Sequence, residues 1–129
     1  MSKENVELVR RGIRSVDAFW ALLDEDIIWH LGDKPPPDFH GTYVGRDEVI
    51  EASRRYWGTW DDYSLDADEL IDAGSSVVVV VHERGRGKGS GAPFDRHWAQ
   101  VWTFREGRIV QWELFLDKAQ ALDAAGLLE

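Results

Sequence analysis

Five consecutive valines, Val77–Val81, are incompatible with a strand that has one wet face. β-Branched residues favour extended backbone, and successive side chains of a strand point to opposite sides. Across Ser76–Arg86, one side receives Val78, Val80, His82, Arg84 and Arg86, and the other receives Val77, Val79, Val81 and Glu83. Both sides are apolar at the valines, so both must be covered. The charges that follow mark the end of the strand that approaches a hairpin and the mouth of whatever the sheet encloses.

The flanking segments supply the covering elements. Val6, Val9 and Ile13 recur at helical spacing within Glu4–Arg14, and Val16–Leu23 forms a second apolar helix with Phe19, Trp20, Leu22 and Leu23. Asp24-Glu25-Asp26 ends that helix, and Ile27–Leu31 reads as a short buried strand. Gly32–Gly45, with Pro35, Pro36 and Pro37 in a row, reads as a loop and a mobile rim. Asp47–Trp60 is a helix with an inward stripe of Val49, Ile50, Ser53, Trp57 and Trp60, which leaves Tyr56 exposed. Strands follow at Tyr63–Ile71, Ser76–Arg86, Phe94–Arg105 and Arg108–Asp117, the last two joined by a tight turn at Glu106-Gly107. Asp117 opens a final helix with Gln120 three residues on, and Gly126 ends it. With no internal repeat, residues 1–129 form a single domain. Helices grouped before an antiparallel meander predict an α+β fold, in which a long curved sheet wrapped over the helices leaves a conical cavity.

Charge and composition exclude several roles. The net charge of -9 repels nucleic acid and anionic lipid. The chain has no cysteine, which removes disulfides and thiolate metal sites, and no H-x-H or H-x-x-x-H spacing, so no metal is expected. The N-terminus lacks an apolar leader and no run reaches membrane-spanning length, which predicts a soluble, cytoplasmic protein with no membrane partner. The segment "RGRGKGSGAPF" does not cradle a phosphate: Lys88 is followed by Gly89, and a strand follows instead of a helix. It reads as a flexible hairpin tip. The seven tryptophans are spread along the chain, which favours an aromatic interior or a lined cavity over a surface patch.

The segments "LLDEDIIWH", "GTYVGRDEVIEA", "RGRGKGSGAPF" and "VWTFREGRIVQWELFLDKAQALDAAGL" resemble, in this order over nearly the whole chain, the SnoaL-like branch of the nuclear transport factor 2-like superfamily. The resemblance implies a cone-shaped α+β barrel with a pocket between sheet and helices. It also implies, as in many members, a homodimer through the outer face of the sheet. The fold hosts isomerases, hydrolases, cyclases and proteins without catalysis, so the fold does not choose among them.

The catalytic sets of two relatives are degraded here. Limonene-epoxide hydrolases hold the attacking water with an Asp-Arg-Asp set, a tyrosine and an asparagine; the matching positions hold Trp29, Leu31, Arg84, Arg86 and Leu114, where only the arginine survives. Ketosteroid isomerases need a carboxylate base, which falls at His30 or Leu31, and a protonated aspartate, which falls at Gln100; Phe19 and Trp20 occupy the neighbourhood of their tyrosine. SnoaL-like cyclases use one acid/base residue, a role open to His82 beside Arg84. The resulting expectation is a pocket whose polar end is His82, Arg84 and Gln100. Its walls are Trp29, Trp57, Trp102, Trp112 and Leu114, with Tyr43 at the mouth. Trp29 faces inward and His30 outward or at the rim. The ligand is a small apolar carbonyl compound, with no organic cofactor. Either the site performs isomerisation or cyclisation, with His82 carrying the proton and Arg84 stabilising negative charge, or the chain is a non-catalytic dimeric binding module. For each charged residue, a purely structural ion pair is the competing role.

Overall fold

The computed structural model describes residues 2–32, 35 and 38–127. Its elements run α1 (Ser2–Arg14), α2 (Val16–Leu22), β1 (Leu23–His30), β2 (Thr42–Val44), α3 (Arg46–Trp57), β3 (Trp60–Ala73), β4 (Ser76–Gly87), β5 (Pro93–Arg105), β6 (Arg108–Phe115) and α4 (Lys118–Ala124). The strands form one curved, unclosed sheet in the order β2-β1-β6-β5-β4-β3, antiparallel throughout except where β1 lies parallel to β6. The fold is α+β, as expected. No helix among the described residues is long and apolar enough to cross a membrane.

Three boundaries and one buried stripe differ from the sequence reading. The acidic triplet Asp24–Asp26 does not stop a helix; it lies inside β1, where a register irregularity between Leu23 and Ile28 carries it out of the ladder. The expected rim Gly32–Gly45 contains β2, which pairs with β1 from Ile28 to His30, and Pro36 and Pro37 fall outside the described residues. α3 ends at Trp57, and Trp60 begins β3. The buried stripe of α3 is Val49, Ala52, Ser53 and Tyr56, an i, i+3, i+4, i+7 pattern rotated by about one residue from the expected one. Tyr56, expected outside, is therefore buried.

The valine strand is covered on both sides. Val77, Val79 and Val81 pack into the main core with Val9 of α1, Phe19 of α2 and Trp102 of β5. Val78 packs into a smaller cluster with Ala99, Val101 and Ala121 of α4. On the outer face, α4 folds back over β4 and β5 and buries Val78, whereas Val80 is only half-buried. Asp117 caps this helix by accepting from the Gln120 backbone N–H at 2.9 Å, while the Gln120 side chain accepts from the Leu116 N–H at 3.3 Å. The β5–β6 turn has Glu106 and Gly107 both at positive φ, 52° and 78°, as a type I′ hairpin demands.

Candidate functional site

A cavity of about 820 Å³ opens between the inner face of the sheet and helices α1–α3. Its walls include Phe19, Trp29, Trp57, Trp60, Trp98, Trp102, Trp112 and Leu114, and the exposed apolar residues Val16 and Leu116 also belong to its lining. Aromatic contacts lock much of the wall: Trp29 stacks on Trp112 at 4.3 Å with planes 6° apart, and Phe19 meets Trp102 and Trp112 at 5.0 and 4.7 Å. A second recess of about 640 Å³, at the end of the sheet bearing the β3–β4 and β5–β6 turns, holds no comparable polar cluster.

Two polar constellations reach the main cavity. The first centres on Glu83 of β4, whose side chain is 1% exposed. Its Oε1 accepts from Arg96 Nε at 2.9 Å, Tyr56 Oη donates to both carboxylate oxygens at 3.3 and 3.2 Å, and Tyr63 Oη donates to Oε2. Arg96 Nη2 also donates to Tyr56 Oη at 2.9 Å, and its guanidinium lies 4.6 Å from the centre of the Trp98 ring. β4–β5 pairing explains the meeting, because Glu83 and Arg96 are directly opposite each other. Burial first, and then the Glu83 charge, push the Tyr56 and Tyr63 hydroxyls above the usual phenol range, so both remain donors. For Arg96, burial works against the charge, but Tyr56 and Glu83 outweigh it and hold the guanidinium ionised.

These raised values predict an alkaline transition. A phenol whose folded pKa exceeds its unfolded value of about 10 contributes stability that is intact below pH 10 and lost as pH rises beyond it. In a near-ultraviolet tyrosinate titration, Tyr56 and Tyr63 should stay silent near pH 10 and ionise together with unfolding, which circular dichroism reports. Ordinary ionisation of all three tyrosines in the folded protein would contradict the network.

The second constellation is Gln100 of β5, which is 3% exposed. Its Oε1 accepts from Trp102 Nε1 at 2.7 Å and Trp112 Nε1 at 3.0 Å. These two donors fix the amide orientation, and its Nε2 has no acceptor among the described residues. The cavity lining is therefore donor-rich: Gln100 offers an N–H₂ group, and Arg96 keeps Nη1 free of protein partners among the described residues. The indole N–H groups of Trp29, Trp60 and Trp98 are also buried without acceptors, at a cost of about 1–3 kcal/mol each.

The sequence-derived set is brought together only in part. Trp29, Trp57, Gln100, Trp102, Trp112 and Leu114 line the cavity. Trp29 is buried while His30 is half-buried, with Nδ1 3.4 Å from Thr42 Oγ1. Tyr43 is not at the mouth: it is 4% exposed beside Trp29, its hydroxyl accepting from the His40 N–H and from Arg55 Nη2. His82 and Arg84, expected as the polar end of the pocket, lie on the opposite face of the sheet. His82 Nε2 is 2.6 Å from Asp95 Oδ1, and Arg84 Nη2 donates to Asp66 Oδ2 at 2.7 Å. The even-numbered face of β4 points outward, and its neighbour Glu83 takes the inner place. Glu83, Arg96, Tyr56 and Tyr63 were missed. The available signal was that Glu83 shares a face with Val77, Val79 and Val81, a charge on a fully buried row that demands partners.

Gly85 shapes the same end of the cavity. A Cβ there would come within 2.9 Å of the Phe94 ring, which in turn lies 4.2 Å from Trp60. The glycine thus admits an aromatic neighbour beside Glu83.

Comparison with known proteins agrees with this architecture. A nuclear transport factor 2-like protein from Burkholderia thailandensis is 29% identical, with 97% of each chain covered and a TM-score of 0.77. A counterpart of unknown function from Burkholderia pseudomallei is 28% identical over 93% of this chain and 95% of its own, also with a TM-score of 0.77. A candidate SnoaL-like polyketide cyclase from Jannaschia sp. CCS1 shares the fold at 16% identity, with 99% and 94% covered and a TM-score of 0.78. No sequence match to a curated protein was found. The model of the SnoaL-like domain matches residues 8–112, and the chain belongs to that family.

Proposed function

We propose that this chain binds an apolar, ring-bearing small molecule through an acceptor oxygen, such as a carbonyl or enolate. The observation that carries the reading is the Gln100 amide, held by two indole donors so that its N–H₂ is left without a protein acceptor on the wall of an aromatic cavity. A cavity of this size lined mainly by aromatic side chains with few convergent polar groups is the usual form of a small-molecule site. Arg96, stacked near Trp98 and held by Glu83, supplies positive charge for an oxygen that carries negative charge.

Acid/base isomerisation or cyclisation is the finer reading. It draws support from the family and from the cyclase-like neighbour, but it needs a proton acceptor beside the ligand. Glu83 is the only carboxylate among the described cavity-lining residues, and its oxygens already accept from Arg96, Tyr56 and Tyr63. A ligand proton could reach these oxygens only by displacing one of the protein donors. The geometry therefore favours binding, with stabilisation of charge on the ligand, over proton abstraction by Glu83.

A thermal-shift screen of aromatic and alicyclic ketones, quinones and epoxides tests the reading. Ligands that raise Tm in the wild type should lose about tenfold or more in affinity with Leu116→Asp, which puts a charge on an exposed apolar residue of the lining. The apo Tm should barely move, because Leu116 is 77% exposed. Equal ligand stabilisation in Leu116→Asp and wild type, or no stabilisation by any carbonyl compound, would count against the cavity as the site.

A further inference from the structure

The outer face of the sheet carries a group of side chains that the cavity does not use. His82 of β4 and His97 of β5 are directly opposite in the ladder, and their rings stack at 4.1 Å with planes 16° apart. Asp95, two residues from His97 on the same face, contacts His82 Nε2 at 2.6 Å. His97 Nδ1 lies 3.3 Å from Asp68 Oδ2 of β3. One ligand atom from each of His82, Asp95 and His97 falls within 4.8 Å of the others.

We propose that His82, His97 and Asp95 bind a borderline transition-metal dication, of the class of Zn²⁺, Co²⁺, Ni²⁺ or Cu²⁺. Two imidazoles and one carboxylate are the donor types such ions prefer, whereas Mg²⁺ and Ca²⁺ take oxygen. Metal–ligand bonds near 2.0–2.2 Å require donor atoms about 3.3 Å apart in a tetrahedral arrangement. The His82–Asp95 contact must therefore widen from 2.6 Å, any spacing toward the 4.8 Å limit must contract, and the stacked rings must tilt toward one ion; Asp95 and His97 have 62% and 63% side-chain exposure. With Nδ1 of His97 turned to Asp68, Nε2 remains for the ion, and the carboxylate behind the imidazole orients it as outer partners of metal-bound histidines do. Three protein ligands leave a position for water.

The local field favours a cation. Charged groups near the cluster include Asp66 and Asp68 of β3 and Asp95 of β5, while the cations on this face are already paired, Arg84 with Asp66, Lys118 of α4 with Glu69 and Arg86 with Asp62. For both atoms to become ligands, the His82 Nε2–Asp95 Oδ1 hydrogen bond must open and the neutral His82 ring must carry its hydrogen on Nδ1.

Titration calorimetry of the full chain, free of any histidine tag, with Zn²⁺ or Ni²⁺ should show one ion per chain and a rise in Tm. His97→Ala and His82→Ala should each weaken binding at least tenfold while keeping the circular dichroism of the wild type. His40→Ala and excess Mg²⁺ should change nothing. Absence of heat and of any Tm shift with excess Zn²⁺, or Zn²⁺ affinity unchanged in His97→Ala, would overturn the proposal. Neither outcome bears on the cavity, because these residues face away from it.

Discussion

Glu83→Ala should lower the stability of the fold by about 3 kcal/mol, while Arg84→Ala, one residue along, should cost only about 0–1 kcal/mol. The difference is one of environment. Glu83 is fully buried and gathers two phenolic hydroxyls and a guanidinium, so its removal strands the Tyr56 and Tyr63 donors on an interior wall. Arg96 is half exposed and recovers water, which keeps the loss below that of a wholly buried pair. The Arg84–Asp66 pair is 46% and 61% exposed, where water already screens the interaction. Urea denaturation of both variants measures the contrast directly. A larger loss for Arg84→Ala would mean that β4 presents its even-numbered face to the interior. Glu83→Gln, which keeps an acceptor but no charge, should fall between wild type and alanine.

Gln100→Leu should be of similar size, about 2–6 kcal/mol, because it orphans two buried indole N–H groups at about 1–3 kcal/mol each. Leucine fills most of the volume, so a cavity is not the main cause of the loss. Gln100→Glu retains oxygen acceptors for Trp102 and Trp112 and should recover part of it. Thermal and chemical unfolding of the two variants would decide the point. A Gln100→Leu protein as stable as wild type would show that the indoles do not depend on this amide. The same substitution also removes the donor offered to a ligand, so only the stability readout tests the bonds themselves.

Why the fold was more legible in the sequence than the site follows from the hairpins. Alternation along Val77–Glu83 sorted residues onto two faces correctly, and Gln100 and Trp102 of β5 were correctly sent inward. What alternation within one strand cannot decide is which row of β4 lies beside that row of β5. The β4–β5 ladder pairs Val81 with Trp98 and Glu83 with Arg96, so odd residues of β4 share a face with even residues of β5. Putting both His82 and Gln100 inside requires a register slipped by one residue, and such a slip exchanges every side chain between faces. Given the observed register, Gln100 facing inward places Glu83 inward as well. A similar rotation of about one residue in α3 moved Tyr56 from solvent to the carboxylate. The His82–His97 neighbourhood lay beyond spacing rules altogether, since motif scans compare residues a few positions apart and these two meet only across a ladder.

α4 has a consequence for how the chain is made. Five valines in an uncharged β-forming run are the kind of segment that recruits other chains when left bare. On the outer side of that run Val78 is closed against Ala99, Val101 and α4, and α4 follows all six strands in the sequence. During synthesis the ribosome therefore delivers this cover last, after the sheet it protects has already emerged. A helix of only seven residues thus limits the time for which nascent copies can stick to one another.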